Sequence, residues 1–528
     1  MTSVLANGKH GENDSVRKEP LSTANLFKTL PETPEAVEAR VVGMIPPWLS
    51  GVYLRNGPGQ FEAGDDKVAH FFDGFALMHK FEISDGKVSY SSRFLRGDAY
   101  IAATEQKRLV YSGFGTVALP DPCKNIFSRF FSYFWPPPPS DNCNVNYLQV
   151  GEDFYALTES SKIVKIDPKD LKTVTTSDEA TYDYTAVNLA TAHPHYGKDG
   201  TVYNMGSSFG MQAYYKIIKF PSADLQRDST VLCQIPASSS LYPSYYHSFG
   251  MTENYIVFVE QPLTINVLKI LTAAYRRHSV ADCMDYDGTR SVKFYVINRE
   301  DGTIIPQTYI ANAFFCFHHI NAYEESGHLV VDLCCYDDIS IIKRTYLNHI
   351  REGNLPSPKS LPKRFVLPLE KLLTDQLANH NLVSLPYTEA QACLLEDGSV
   401  HCSPEILINR YLELPRINYE EYNGKKYQFF YASSGDHKKL VKVDTLNKTS
   451  KEWTDSLCYT SEPVFVPNPG REAEDDGVVL CSMIDLKAAG RSPYLVVLDA
   501  KTFQELARAE IPVDIPLGIH GIFIPEIK

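Results

Sequence analysis

Phe81-Glu82-Ile83-Ser84-Asp85-Gly86-Lys87-Val88-Ser89-Tyr90 contains two runs that alternate apolar and polar residues around an Asp-Gly step. A period of two turns one face of each run toward a core, and Asp-Gly tolerates the positive backbone angles of a tight turn. The stretch therefore predicts an antiparallel hairpin. The same dipeptide recurs at Asp199-Gly200, Asp287-Gly288, Asp301-Gly302 and Asp397-Gly398, often beside runs rich in Val, Ile, Tyr and Phe. Tyr255–Val259, Leu329–Leu333, Tyr427–Tyr431, Val478–Cys481 and Leu495–Leu498 have the length and apolar content of buried strands. The chain is expected to be all-β.

Its 528 residues exceed one ordinary core, which leaves two or three domains or one large closed architecture such as a propeller or barrel. No repeat of blade length is present, so a propeller does not follow from repetition. No low-complexity break reads as a linker, and Pro136-Pro137-Pro138-Pro139 is too short for one, which favours a single domain over residues 31–528. Residues 1–30 are polar, lack an apolar signal core and read as a disordered tail. They are neither Arg-rich nor free of acids, so they form no clear mitochondrial presequence, and a mitochondrial location stays open beside a cytoplasmic one.

A net charge of -13 without a basic stripe excludes a general nucleic-acid partner. The 11 cysteines form no Cys-x-x-Cys pair and include the adjacent Cys334-Cys335, so free buried thiols in a reducing, cytoplasmic compartment are expected. The sequons Asn13-Asp14-Ser15 and Asn447-Lys448-Thr449 would then carry no sugar. The 32 Tyr and 27 Phe suit packed sheets and also an apolar ligand cavity.

Phe127, Phe130, Phe131 and Phe134 recur at i, i+3, i+4 and i+7, opposite Ser128, Arg129 and Ser132. Such a helix either faces a core or lies in a membrane interface. Lys124 and Arg129 beside the stripe, with Tyr133 and Trp135 at its end, favour the interface. Ile265–Arg277 is similarly apolar with a basic end, and both stretches are too short to span a bilayer. Membrane-binding insertions are expected near residues 120–139 and 262–278.

His193 and His195 in Thr191-Ala192-His193-Pro194-His195-Tyr196 stand two apart around a proline that could present a metal ligand on a rigid strand or turn, and His247, His318 and His520 sit in apolar or aromatic surroundings; so do Glu159, Glu413 and Glu462. A buried imidazole without a partner costs about 1–3 kcal/mol, so each such ring is hydrogen-bonded in the core or bound to metal. Each buried carboxylate pairs with an arginine or with the second N–H of a ligating histidine. Spacing alone does not join positions so far apart.

Ordered motifs do join them. Leu54-Arg55-Asn56-Gly57-Pro58-Gly59, His70-Phe71-Phe72-Asp73-Gly74, Pro120-Asp121-Pro122-Cys123-Lys124, the four histidine contexts, Ser461-Glu462-Pro463, Glu474-Asp475-Asp476-Gly477-Val478 and His520-Gly521 run from about Val41 to Phe523. Through them the chain resembles the animal carotenoid cleavage oxygenases, the group that includes the beta-carotene oxygenases and the retinoid isomerohydrolase of the retinal pigment epithelium. The resemblance implies a seven-bladed β-propeller with a helical and loop cap and an axial iron(II). His193, His247, His318 and His520 match the iron ligands, and Glu159, Glu413 and Glu462 match the carboxylates behind them. Within His318-His319 the first matches, and His195 matches a position away from the iron. Thr158, Phe114 and Tyr245 are implied to border the catalytic cavity. Cys123 heads the segment that looks like the family's membrane anchor and is a candidate for reversible acylation. The chain departs from the family at Gly113 (Glu in relatives), Phe71 (Trp) and Ser160-Ser161 (Thr-Asn).

The reading that follows is an iron(II) dioxygenase, peripheral to a membrane, that splits a conjugated double bond of a carotenoid or apocarotenoid into two carbonyl products. Pro243-Ser244-Tyr245-Tyr246-His247-Ser248-Phe249-Gly250 and Glu260-Gln261-Pro262-Leu263 lean toward the beta-carotene oxygenases. No G-x-G-x-x-G fingerprint indicates a nucleotide, and neither nucleotide nor haem is expected. Two alternatives stay open: a retinyl-ester isomerohydrolase using the same iron as a Lewis acid, and a carotenoid-binding propeller without turnover.

Overall fold

The computed structural model describes residues 26–525 apart from 119–139, 175–186, 221–228, 353, 355–356, 370–379, 456 and 486–490. The chain is mostly β. The opening hairpin forms as expected: Phe75–Ser84 pairs with Lys87–Phe94, Phe81 lies opposite Tyr90, and Asp85 (φ 50°) and Gly86 (φ 73°) make the turn. Asp199-Gly200 and Asp397-Gly398 also close antiparallel pairs. Asp287-Gly288 does not. Met284–Tyr286 on one side of it pairs with Leu263–Ile265, whereas Val292–Asn298 on the other side pairs with Tyr255–Glu260, and Gly288 lacks the positive φ a tight hairpin needs.

Seven sheets of four or more strands are present among the described residues. The first combines Thr33–Glu38, Gly51–Asn56, Phe75–Ser84 and Lys87–Phe94 with the last strand of the chain, His520–Ile524. The second begins at Asn146–Val150, the third at Leu189–Ala190, the fourth at Gly250–Met251, the fifth at Phe315–Glu325, the sixth at Leu412–Arg416 and the seventh at Cys458–Thr460. The seventh also takes in an early strand, Arg40–Gly43, against Glu505–Glu510. Both ends of the chain are thus hydrogen-bonded into sheets made of the opposite end.

Most of these strands are buried on both faces, which explains why they read as continuous apolar runs. Successive residues of one strand serve different cores. In Gly477–Asp485, Val478 and Leu480 join the cluster shared with the first sheet, while Val479, Cys481 and Met483 join the cluster shared with the sixth. In His328–Tyr336, Leu329, Val331 and Leu333 face the fourth sheet, and Val330 and Cys334 face the sixth. Leu26, Phe27 and Leu30 correct the expected tail boundary: they are buried, and Phe27 packs edge-on against Phe71 at 5.2 Å. The ten described cysteines are free thiols, nine of them buried.

Leu480 has 0% exposure between the first and seventh sheets. Leu480→Ala removes methyl groups that the rigid sheets cannot replace and is expected to destabilise the chain by about 2–5 kcal/mol. A lowered urea midpoint at unchanged far-ultraviolet dichroism checks this.

Candidate metal centre

Four imidazoles meet where strand ends from different sheets come together. His193 follows Leu189–Ala190 of the third sheet, His247 precedes Gly250–Met251 of the fourth, His318 lies in Phe315–Glu325 of the fifth, and His520 opens the last strand of the first. One nitrogen from each lies within 4.8 Å of the others. Glu159, Glu413 and Glu462 come from the second, sixth and seventh sheets, so each of the seven contributes one residue to this point.

Local irregularity aims two of them. The strand carrying His318 shifts register between Cys316 and His319 and again between His319 and Asn321, as expected of bulges that redirect side chains. His318 joins the cluster, while His319 Nδ1 turns to the Ser248 hydroxyl at 2.8 Å. A second shift lies between Glu413 and Arg416, where Leu414 takes a left-handed backbone (φ 55°). Its amide then donates to Glu413 Oε2 at 2.8 Å.

The carboxylates set the tautomers. An ionised carboxylate only accepts hydrogen bonds, so His247 Nδ1 donates to Glu159 at 2.5 Å, His318 Nδ1 to Glu413 at 2.6 Å and His520 Nδ1 to Glu462 at 2.8 Å. The Nε2 atoms of these three rings therefore carry lone pairs. His318 Nε2 and His520 Nε2 face each other at 3.4 Å, and His193 Nε2 stands 3.1 Å from His520 Nε2. Two such lone pairs repel unless a cation lies between them. Ligands at right angles around a cation at about 2.1 Å would be about 3.0 Å apart, so the donor set fits a divalent transition metal, and neutral imidazoles suit one.

Burial pushes the Glu462 carboxyl up, but Arg416, His520 and Arg55 outweigh it and hold it at about 2. Burial likewise raises Glu413, and His318, the Tyr336 hydroxyl and the Leu414 amide overcome it to leave the group below its usual range. Both remain ionised acceptors at neutral pH. His193 is driven well below 6.5 by burial and by the three neighbouring rings, and His520 is lowered to about 4, burial outweighing the pull of Glu462. These two rings are held neutral, the form that binds metal.

The other expected site residues are distributed around this centre. Thr158 immediately precedes Glu159. Tyr245 belongs to an apolar cluster with Phe317 and Tyr336, and its hydroxyl donates to Glu159 Oε2 at 2.8 Å. Phe114 packs on His70 and Phe72 at 5.1 and 5.7 Å between centroids. Its loop is tied down by Asp73, which accepts from the amides of Phe114 and Gly115 and the hydroxyl of Thr116. Gly113 leaves room for that carboxylate, because a Cβ there would stand 2.3 Å from Asp73 Oδ1. Ser160 turns to the Ser140 carbonyl. His195 is held between the Tyr419 hydroxyl and the Phe249 carbonyl, outside the cluster. Phe127, Phe130, Phe131, Phe134, Trp135 and Cys123 lie outside the described residues.

Sequence reasoning missed Tyr336, whose hydroxyl donates to Glu413 Oε1 at 2.7 Å, and Phe317, whose ring meets His247 at 5.1 Å. Phe317 adjoins His318 in sequence and could have been suspected. Tyr336 is brought in by cross-strand pairing with Phe315 and has no local signal.

A mostly-β chain with a four-imidazole, three-carboxylate centre is the class these observations define. The profile of the family described as retinal pigment epithelial membrane protein matches residues 26–525, and the chain belongs to that family. It is 43% identical to the carotenoid-cleaving dioxygenase, mitochondrial, of Macaca fascicularis, over 95% of this chain and 94% of that one. It is 44% identical to beta,beta-carotene 15,15'-dioxygenase of Mus musculus, over 93% and 90%. Among solved structures, cobalt-substituted Synechocystis apocarotenoid oxygenase superposes with a TM-score of 0.75 at 22% identity, covering 95% of this chain and 98% of that one.

Burial lowers His70, His437 and His520 to about 4, and burial with the nearby Arg55 charge lowers His79 to about 3. Unfolded, these rings titrate near 6.5, so acid protonates the unfolded chain first. Their contribution to stability is complete above pH 6.5 and is lost as pH falls toward 4, by up to about 1.4 kcal/mol per pH unit per ring. The urea midpoint of metal-free protein should fall steeply between pH 6.5 and 4.5; a flat profile contradicts these shifts.

Proposed function

We propose that this chain is an iron(II)-dependent dioxygenase that cleaves a conjugated double bond of a carotenoid or apocarotenoid into two carbonyl products. The observation that carries the reading is the convergence of His193, His247, His318 and His520 with carboxylate-fixed tautomers, in a chain 43–44% identical to relatives named as carotenoid dioxygenases. The overall change adds one atom of dioxygen to each carbon of the broken C=C bond and moves no proton. The polyene supplies the electrons, so no reducing cosubstrate is required. Iron, when bound, supplies the spin-allowed route by which dioxygen reacts with a closed-shell polyene.

The protein's residues do the rest. Glu159, Glu413 and Glu462 hold three rings in the tautomer that presents Nε2, and Tyr245 and Tyr336 hold two of the carboxylates. Phe72, Phe114 and Phe317 pack edge-to-face beside the centre, an apolar wall that would exclude water and receive a polyene. Thr158 adjoins Glu159 in the chain and is assigned to the cavity. We further assign the seven sheets to the blades of a closed propeller, because each shares a hydrophobic cluster with its successor and the seventh shares one with the first.

The substrate's insolubility calls for delivery from a lipid surface. Val267–Arg276 is a helix capped by Asn266, and its Leu268, Leu271 and Tyr275 are 54%, 72% and 75% exposed, on one face at i, i+3 and i+7. Leu241 and Tyr242 are exposed beside it, with the Leu241 carbonyl bonded to the Val267 amide. No described helix is long and apolar enough to cross a membrane, and we assign this patch to monotopic attachment. Leu268→Glu/Leu271→Glu should move the protein from the liposome pellet to the supernatant while leaving iron content unchanged; unaltered sedimentation contradicts the assignment.

The activity test compares aerobic with anaerobic incubation of iron-loaded protein with beta-carotene, zeaxanthin, an apocarotenal and a retinyl ester. Oxygen-dependent aldehydes are expected. Oxygen-independent retinol isomers would indicate isomerohydrolysis, and unchanged bound polyene would indicate a carrier. Alanine at His193, His247, His318 or His520 should abolish iron retention, and alanine at Glu413 or Glu462 should weaken it about 10- to 100-fold; full occupancy in His520→Ala overturns the ligand set.

A further inference from the structure

The Leu54-Arg55-Asn56-Gly57-Pro58-Gly59 stretch and the glycines flanking His520 meet at one side chain, Arg55, whose charge helps to keep Glu462 ionised. Arg55 is 0% exposed on Gly51–Asn56, which pairs with His520–Ile524 so that Arg55 lies opposite Gly521 and Asn56 opposite His520. Its Nη1 donates to Glu462 Oε2 at 2.9 Å, and its Nη2 donates to the carbonyls of Gly518 at 2.9 Å and Ile519 at 3.3 Å. The side chain has this path because two neighbours lack a Cβ. One on Gly518 would stand 2.9 Å from Arg55 Nε, and one on Gly521 would stand 2.6 Å from Arg55 Cδ.

The three carboxylates are therefore backed differently. Glu159 and Glu413 receive neutral phenols from Tyr245 and Tyr336, whereas Glu462 receives a guanidinium, the Gly521 amide at 3.0 Å and a longer contact from Arg416 at 3.5 Å. We propose that Arg55 is a positioning residue for His520 and makes it a weaker donor than His247 and His318, an inference that rests on the reading of the four histidines as a metal centre. One guanidinium grips both the carboxylate behind the ring and the two carbonyls that precede His520 in the chain, so it fixes the ring's partner and its backbone together. By drawing charge from Glu462 it weakens the pull of that carboxylate on the Nδ1 proton, which leaves less electron density at Nε2.

The test is a double-mutant cycle on the full chain: wild type, Arg55→Met, Glu462→Gln and the double variant, with Arg55→Lys as the conservative comparison. Iron is removed, cobalt(II) is titrated back, and the Kd, the visible spectrum of the bound cobalt and Tm are read. Loss of the grip on Glu462 and on the backbone before His520 outweighs the gain in donor strength at Nε2, so Arg55→Met should weaken cobalt binding about 10- to 100-fold while the stronger donor shifts its spectrum, with partial recovery in Arg55→Lys. The double variant should bind no more weakly than Glu462→Gln alone, since both changes act through one carboxylate. It also removes the uncompensated buried charge, so it remains measurable if Arg55→Met folds poorly. Penalties that multiply in the double variant, or an Arg55→Met that loses Tm yet keeps the wild-type Kd and spectrum, overturn the inference. A wild-type chain that takes up no cobalt overturns the metal centre and this inference with it.

Discussion

The hydrogen bond from an imidazole Nδ1 to a glutamate is the interaction on which this structure turns. Made three times, at His247–Glu159, His318–Glu413 and His520–Glu462, it aims three Nε2 lone pairs at one point. Glu413 and Glu462 must stay ionised for the bond to hold, although burial favours their neutral form. The Tyr336 phenol, the Leu414 and Gly521 amides and the Arg55 guanidinium supply the compensation. Among the described residues His193 has no such carboxylate, and its buried Nδ1 has no hydrogen-bond partner.

Holding those bonds requires that strand ends from seven sheets reach one place. The sheets achieve this by packing on both faces, each against two neighbours, so that a shift of one would have to carry through the clusters on either side. Regular pleating does not aim every side chain inward. The register shifts around His318 and Glu413 and the left-handed Leu414 redirect two of them, at a local backbone cost that the surrounding cores sustain. The same packing leaves the Val267–Arg276 helix with an apolar face outward, the opposite of what core formation alone would favour.

Much of this was legible in order along the chain. Val478–Cys481 and Leu329–Leu333 read as strands buried on both faces because adjacent residues, not alternate ones, are apolar. His247, His318 and His520 stood out as polar rings in apolar runs, as did Glu413 and Glu462. Asp287-Gly288 misled because the dipeptide permits a tight turn without requiring one, and Leu26–Leu30 misled because a polar tail ends in apolar residues whose partner, Phe71, lies some forty positions later.

By itself the sequence determined the strand content, the absence of a nucleic-acid footprint and, through ordered motifs, the residues that would gather at one centre. Those properties reside in local alternation, composition and residue type. Tertiary structure alone decided which glutamate serves which histidine, that Tyr336 holds Glu413, that His319 turns away while His318 turns in, and that Arg55 reaches Glu462 across two glycines. Each of these joins positions tens to hundreds of residues apart, and a contact made across sheets leaves no periodic trace in the strand that makes it.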